Sequence, residues 1–281
     1  KFCTFCIVPY VRGRERSIDP TDIVSQIESV VSEGYKEVTL LGQTVNSYKH
    51  MNVGFAQLLR EIAKINGLER LRFTSPYPVD FSDDVIMAMS ELNCVCPSIH
   101  LPVQSGSEAQ LRSMRRGYTV DDFRRLVDKL RNAIPDIAIS TDIITGFCGE
   151  TEKDFRETCK LMEEIQFDFA FMFKYSAREG TFAFKRMTDD VTEEVKGQRL
   201  QHIIKLQEQI SLEINKKFVG NSYPVLIEGK SKRKGKDGKE RCFGKTPHNK
   251  TTVIPESVPA NTIVNITVDR CTSHTLYGRL N

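Results

Sequence analysis

No apolar run in the 281 residues approaches the length of a membrane span, which excludes a chain built on membrane-crossing helices. Sets for ordinary acid–base catalysis are also missing. There is no Ser-His-Asp arrangement and no isolated carboxylate pair, and the Gly-x-Gly-x-x-Gly of a dinucleotide fold is absent. His100, His202, His248 and His274 lack the spacing of metal ligands and take no role. The eight cysteines are scattered without a disulfide framework, which fits a reducing, cytoplasmic setting. Apart from the first pair they read as small buried hydrophobes.

Charge of one sign is scarce overall and concentrated locally. Net charge is +3, yet residues 216–281 hold 13 Lys and Arg against 5 Asp and Glu, a net of +8, leaving −5 for the remainder. A polyanion is therefore expected to dock on the C-terminal segment alone. Within it, the run from Lys230 to Arg241 carries seven basic residues around a hairpin-turn signal, Lys236-Asp237-Gly238-Lys239. Charge runs are usually solvated loops. Here Lys230, Lys232, Arg233, Lys234, Lys236 and Arg241 make a phosphate-tracking surface that supplies affinity without base identity.

What is present stands first in the chain: Cys3-Thr4-Phe5-Cys6-Ile7-Val8-Pro9-Tyr10, a Cys-x-x-Cys pair with an aromatic expected to pack on its second thiol. Two thiolates so spaced can bind neighbouring corners of a [4Fe–4S] cube. Zinc ribbons and thioredoxin-like sites use the same spacing. A ribbon needs a second knuckle, and Cys94 and Cys96 have the wrong spacing for one. A thioredoxin-like site should open a helix, and Pro9 is expected to break the first turn.

Residues 18–175 alternate short β-branched runs with amphipathic helical patterns. Helices are expected from an Asp19 cap to Gly34, through Phe55–Ile65, from Ser82 through Met89, through Phe123–Leu130, and from Thr151 to Ile165. Strands are expected at Glu37–Leu41, Leu68–Thr74, Ser98–Val103, Ile137–Ile144 and Phe167–Tyr175. Near-continuously apolar strands separated by helices indicate a parallel α/β arrangement, either sheet or barrel. A charged helix over 191–217 follows, and after Gly220 the texture becomes alternating strands, the size of a five-stranded barrel. The chain thus divides into 1–215 and 216–281.

In such a fold the loops after the strands carry the site. Gln104-Ser105-Gly106-Ser107 offers an amide and hydroxyls to a ribose or carboxylate, while Ser107 alternatively caps a helix with Gln110 as its box partner. Asp142 to Thr151 places glycines, notably Gly146, for close backbone approach, with Glu150 or Asp142 to accept from a ribose hydroxyl. Arg115-Arg116-Gly117-Tyr118 is a basic loop that either touches phosphate or is simply solvated. Thr74-Ser75-Pro76-Tyr77-Pro78 either faces a substrate base or is a stiffened turn.

Several of these segments together resemble the MiaB-type tRNA methylthiotransferases, a radical S-adenosylmethionine family. Cys3 and Cys6, with Arg12-Gly13-Arg14-Glu15-Arg16-Ser17 after them, resemble the second and third cysteines of that family's Cys-x-x-x-Cys-x-aromatic-Cys segment and its continuation. The first cysteine would lie two residues before Lys1. Leu41-Gly42-Gln43-Thr44-Val45-Asn46 resembles the family's Leu-Gly-Gln-Asn-Val-Asn, with Thr44 departing from it, and Cys148 stands where proline is usual. Tyr175-Ser176-Ala177-Arg178-Glu179-Gly180-Thr181-Phe182-Ala183 matches the family signature at every fixed position.

The resemblance implies a partial (β/α)6 radical barrel followed by a TRAM domain, an oligonucleotide-binding-like β-barrel. It implies a [4Fe–4S] cluster on Cys3 and Cys6 as metal ligands. S-adenosylmethionine would be held by Gly42, Gln43, Gln104, Ser105, Ser107, Asp142, Gly146, Glu150 and Ser176. A second [4Fe–4S] cluster would sit on an N-terminal domain outside this chain. The implied activity adds a methylthio group to C2 of an isopentenylated adenosine beside the anticodon. A monomer would meet tRNA, a flavodoxin-like electron donor and a sulfur donor, and no membrane. The competing expectations are a methylthiotransferase for threonylcarbamoyladenosine tRNA or a ribosomal protein, and a non-catalytic RNA-binding relative.

Overall fold

A computed structural model of the protein describes residues 2–231 and 240–281. Its first helix, α1 (Val8–Arg12), lies where a break was expected. Pro9 falls in the first turn, where an N–H has no intrahelical partner to lose, so proline starts this helix instead of stopping it. Gly13, at φ +74°, ends it.

The alternating region then runs α2 (Pro20–Ser32), β1 (Glu37–Leu40), a small hairpin β2 (Lys49–His50) and β3 (Val53–Gly54), α3 (Phe55–Ile62), β4 (Arg70–Phe73) and α4 (Asp83–Glu91). It continues through β5 (Ser98–His100), α5 (Glu108–Ser113), α6 (Val120–Ala133), β6 (Ala138–Thr145), α7 (Glu152–Ile165), β7 (Phe169–Lys174), α8 (Phe182–Arg186) and the long α9 (Glu193–Lys216). Side chains at Asp19, Ser82, Thr119 and Thr151 accept a backbone N–H two or three residues on, as their positions in sequence indicate. Thr119 with Asp122, and Thr151 with Asp154, complete full capping boxes. Each such cap contributes about 1 kcal/mol.

β1 pairs parallel with β4, and β6 lies parallel between β5 and β7. A bridge joins the two sets: Leu71 N–H donates to Cys94 O at 2.7 Å and Cys96 N–H donates to Leu71 O at 3.0 Å. The result is five parallel strands of an incomplete barrel in the order β1-β4-β5-β6-β7. Its outer face is packed dry against the helices, with Leu59, Ile62, Leu71, Phe123, Leu130 and Ile139 fully buried. The inner face is different. On β7, Ala170 is buried while Phe169, Phe171 and Phe173 are 39%, 50% and 53% exposed. They lie on the side of the sheet where Phe169 and Phe171, with His100 and Ser140, line a cavity of about 500 Å³. The apolar run of β7 therefore has one covered face and one face left open.

Five further strands, β8 (Ser222–Lys230), β9 (Cys242–Lys245), β10 (Thr251–Ile254), β11 (Ile263–Cys271) and β12 (Leu276–Leu280), close into a barrel in the order β10-β12-β11-β8-β9. Val225, Ile227, Cys242, Ile254 and Ile266 fill it. The small barrel is fastened to the large one through side chains of β4. Arg70 donates to Lys245 O and Pro224 O at 2.7 and 2.8 Å, and Arg72 to Thr246 O and Pro247 O at 2.9 Å each. Glu37 sits 3.0 Å from Arg72 Nε, and Lys250 bonds Asp168 at 2.6 Å. Lys232, Arg233, Lys234 and Lys236, and the expected turn at Lys236–Lys239, lie outside the described residues. Among the described residues no helix is long and apolar enough to cross a membrane.

Arg72→Ala strips Glu37 and two carbonyls of their donor, and the expected loss is roughly 3 kcal/mol of stability. Urea unfolding reads the total, and amide exchange should accelerate first across residues 222–281.

Candidate cofactor and nucleic-acid site

The two residues between the cysteines decide where the thiols point. Thr4 is 1% exposed, its N–H donating to Met114 O at 3.1 Å and its hydroxyl to Ser113 O at 3.0 Å. Ala183 N–H donates to Thr4 O at 2.8 Å. Phe5 packs edge-on against Phe147, ring centroids 6.2 Å apart, beside Met114 and Tyr175, where the sequence had pointed to the second thiol. Thr4 and Phe5 are thus drawn inward, and Cys6 N–H closes a turn on Cys3 O at 3.1 Å. Cys3 and Cys6, both half-buried, line a cavity of about 480 Å³ with Gln43, Thr44, Tyr77 and Arg116. Gln43 follows β1 and Tyr77 follows β4, so the cavity stands at the C-terminal ends of the strands, where parallel α/β folds place their chemistry.

Arg116 was expected to be solvated or on phosphate, and it is neither. It is 6% exposed, and its Nη1 donates to Cys3 Sγ at 3.2 Å. Nε donates to Tyr118 Oη at 3.1 Å and Nη2 to Pro102 O at 3.1 Å, while the cation lies over the rings of Tyr77 and Tyr118. Burial works against its charge, but Tyr118 and Cys3 outweigh that and hold the guanidinium ionised. Tyr77 donates in turn to Arg116 O, and burial pushes its hydroxyl up to about 12. A clue was available in the sequence: an aromatic two residues after an arginine, across the tight turn that Gly117 makes at φ +72°.

The residues expected to hold S-adenosylmethionine separate into two groups. Gln43 shares the cysteine cavity, exposed Gly42 lines an adjoining one of about 440 Å³, and Ser176 is exposed just past β7. Gln104 bridges β5 and β6 through its backbone at φ +76°, a conformation rare outside glycine and often found at functional sites. Asp142 is half-buried with Oδ1 3.3 Å from His100 Nε2, and His100 Nδ1 is 3.1 Å from Ser140 Oγ. The remaining four face inward. Ser105 and Ser107 are 0% exposed; Ser105 Oγ meets Thr158 Oγ1 at 3.1 Å and Ser107 Oγ donates to Asp154 at 2.5 Å. Ser107 also caps α5, accepting from Gln110 N–H at 3.4 Å. Both serines bind α7 to the loop, because a Cβ at Gly106 would stand 2.6 Å from Glu157 O and the helix can press that close.

Gly146 and Glu150 are likewise taken up internally. Gly146 N–H donates to Glu150 Oε2 at 2.6 Å, and Arg199 of α9 donates to the same oxygen at 2.8 Å. Burial raises the Glu150 carboxyl above its ordinary value, with the Gly146 N–H and Arg199 opposing the shift. Of the described RNA-contact candidates, Lys230 is exposed and bonded to Glu240 at 2.6 Å, and Arg241 is half-buried.

The donor set fits an iron–sulfur cluster in part. Two thiols open on one cavity beside a buried cation, while among the described residues no three His, Cys, Asp or Glu gather as a metal site. A third ligand has to come from elsewhere.

Gly146→Ala should cost about 2–4 kcal/mol, because the residue sits at φ +70° and its Cβ would lie 2.3 Å from Lys196 Cγ. The raised Glu150 value also has a sign. The folded state holds that proton more tightly than the unfolded one. Stability from this group is full below the ordinary glutamate value and is lost as pH rises through the folded value. Urea midpoints measured across that window should fall less steeply in Glu150→Gln than in the wild type.

The comparisons with known proteins agree with this geometry. Residues 1–162 match the Radical SAM superfamily and residues 216–280 the TRAM domain. A tRNA-2-methylthio-N(6)-dimethylallyladenosine synthase of Carboxydothermus hydrogenoformans is 50% identical over 256 residues, covering 90% of this chain and 57% of the relative. Another, from Porphyromonas gingivalis, is 44% identical, covering 99% of this chain and 60% of the relative. The chain therefore spans about three fifths of the length of these curated relatives. Among solved structures, the coproporphyrinogen III oxidase HemN of Escherichia coli superposes with TM-score 0.53 at 17% identity, over 75% of this chain and 50% of its own. The methyltransferase TsrM of Kitasatospora setae gives 0.54 at 17% identity, over 85% of this chain and 40% of its own. At that identity these two likenesses speak for the fold alone. An incomplete parallel barrel with paired thiols at the strand ends, matched over more than half its length, belongs to the radical SAM superfamily.

Proposed function

We propose that the protein is the greater part of a tRNA methylthiotransferase that modifies C2 of N6-isopentenyladenosine next to the anticodon. The observation that carries this reading is the inward anchoring of Thr4 and Phe5, which turns both thiols onto one cavity at the strand ends. Two relatives named for that product, at 44% and 50% identity, support it. Adenine C2–H is a strong, non-acidic bond, so the lack of a positioned general base in the sequence is no obstacle.

Cys3 and Cys6 would hold two corners of a [4Fe–4S] cluster whose open iron takes S-adenosylmethionine. When bound, that pair supplies the one-electron chemistry that no side chain can perform. The protein's own residues orient and shield. Gln43 and Gly42 stand beside the cysteine cavity, suited to the polar end of S-adenosylmethionine. Gln104, past the end of β5, donates its N–H to Asp142 O on β6, and the Asp142 carboxylate stands 3.3 Å from His100. Phe169, Phe171 and Phe173 offer aromatic faces on which a purine can stack. A second cluster, a flavodoxin-like electron donor, a sulfur donor and a cytoplasmic setting complete the reading, and the second cluster would lie on a segment outside this chain.

The tRNA would track along the basic run from Lys230 to Arg241 on the small barrel. Each phosphate neutralised adds about 0.7–0.9 to the slope of log affinity on log salt. Replacing Lys232, Arg233 and Lys234 with alanine should lower that slope by roughly two units, measured by filter binding across salt concentrations.

In cells, Cys3→Ala should abolish methylthiolated nucleoside in digested tRNA, read by mass spectrometry, while tRNA affinity stays within about twofold. Retained product would sink the enzymatic reading. A methylthio group on threonylcarbamoyladenosine instead would move the substrate to the neighbouring class.

A further inference from the structure

Six lysine or arginine side chains are buried among the described residues: Arg70, Arg72, Arg116, Lys196, Arg199 and Lys250. Five have a carboxylate within ion-pair distance, namely Glu37 for Arg70 and Arg72, Asp189 for Lys196, Glu150 for Arg199 and Asp168 for Lys250. Arg116 has none. Its polar contacts are a tyrosine hydroxyl, one carbonyl and the sulfur of Cys3, and its cation lies 5.1 and 5.4 Å from the ring centroids of Tyr77 and Tyr118. Burying an arginine without an anion costs several kcal/mol, and here the cost is met neither by solvent nor by a carboxylate. The missing anion belongs on the side where Nη1 points, toward Cys3 Sγ in the cavity wall.

We infer that Arg116 is the fixed counter-cation of the cluster held by Cys3 and Cys6, and that its N–H bond to the Cys3 sulfur raises the reduction potential of that cluster. The inference rests on the cluster reading above. The physical reason is that reduction adds one negative charge. A single electron passes from a low-potential flavin-type donor to the cluster, the donor is oxidised by one electron, and no bond or proton moves. A cation 3.2 Å from a ligating sulfur stabilises the more negative, reduced form. Two restraints keep it there. Tyr118 holds Nε and donates on to Pro102 O and Val103 O, and Tyr77 bonds Arg116 O while its ring lies against the guanidinium. Arg116 is therefore a positioning residue, acting on the electron step through a sulfur ligand.

The test uses the native full-length polypeptide, anaerobically reconstituted, with the electron paramagnetic resonance signal that Cys3→Ala abolishes taken as this cluster. In a dithionite redox titration, Arg116→Gln should give a tenfold lower ratio of reduced to oxidised cluster at fixed potential, a midpoint lower by about 59 mV for a one-electron couple. Arg116→Lys keeps the charge and should fall between the two. Should the glutamine variant fail to hold iron, the wild type still decides. Protein labelled with 15N in the arginine guanidinium should show nitrogen hyperfine coupling to the reduced cluster, kept in Arg14→Lys and lost in Arg116→Lys. An unmoved midpoint in a fully loaded Arg116→Gln, or no nitrogen coupling, overturns the inference. So does an unmoved midpoint joined to tenfold weaker S-adenosylmethionine binding, which would make Arg116 a ligand of that molecule's carboxylate. If Cys3→Ala keeps all its iron and signals, the cluster reading fails first, and the two failures are told apart.

Discussion

The site depends on Thr4 being pulled out of a surface turn and into the protein. Three hydrogen bonds, to Met114, Ser113 and from Ala183, fix a residue near the start of the chain to partners more than a hundred positions away. Each contributes about 1 kcal/mol net, but losing one would leave a buried group unsatisfied at greater cost. Phe5 adds an aromatic contact on the same side. With both intervening residues committed inward, the flanking thiols have one direction left, toward the cavity. A cysteine pair on a free loop would have to be ordered when it met its ligand, and that entropy would be lost from binding. Here it is lost on folding.

Charge is handled by the same logic of prior commitment. The ion pairs on exposed helix faces, such as Lys64–Glu61 or Arg156–Glu152, each contribute a fraction of a kcal/mol and position nothing. Four of the five buried cations that have a carboxylate stand at joints. Arg70 and Arg72 join the large barrel to the small one, Arg199 joins α9 to the loop after β6, and Lys250 joins the small barrel to the segment before β7. The Arg70 and Arg72 bonds to Pro224, Lys245, Thr246 and Pro247 thereby hold β8 and β9, the strands on either side of the basic run in sequence, against the large barrel.

Local signals were legible in the sequence, and long-range ones were not. The caps at Asp19, Ser82, Thr119 and Thr151, the order of the longer strands and helices, and a small all-β module after Gly220 follow from periodicity and turn chemistry, while the closed five-stranded barrel is what the family resemblance implies. Such signals act within a few residues, so a short window contains them. The role of Glu150 could not be read that way, because its partner Arg199 is 49 positions on and belongs to a different helix. Ser105 and Ser107 look like ligand hydroxyls until α7 is seen lying across them. Arg116 looked solvated because its neighbours in sequence are polar, whereas Tyr77 and Cys3 bury it from elsewhere. Pro9 misled for a smaller reason: its effect on a helix reverses within one turn of the start.

The open face of β7 is the part of the fold whose energetics point beyond the protein. A phenylalanine carries 150–250 Å² of apolar surface, so leaving one half exposed forgoes about 2 kcal/mol of burial. Three on one strand, at alternate positions, multiply that loss on a face that the fold could have covered with leucine-sized neighbours. The arrangement is stable because the outer face of the same sheet belongs to a core that buries apolar side chains from seven helices. It is reasonable as a design only if something flat and apolar lies there when the protein works. His100, edge-on to Phe171 and with Nε2 3.3 Å from Asp142 Oδ1, gives that surface one polar edge. The three rings therefore form an open apolar face that a flat, apolar partner would cover.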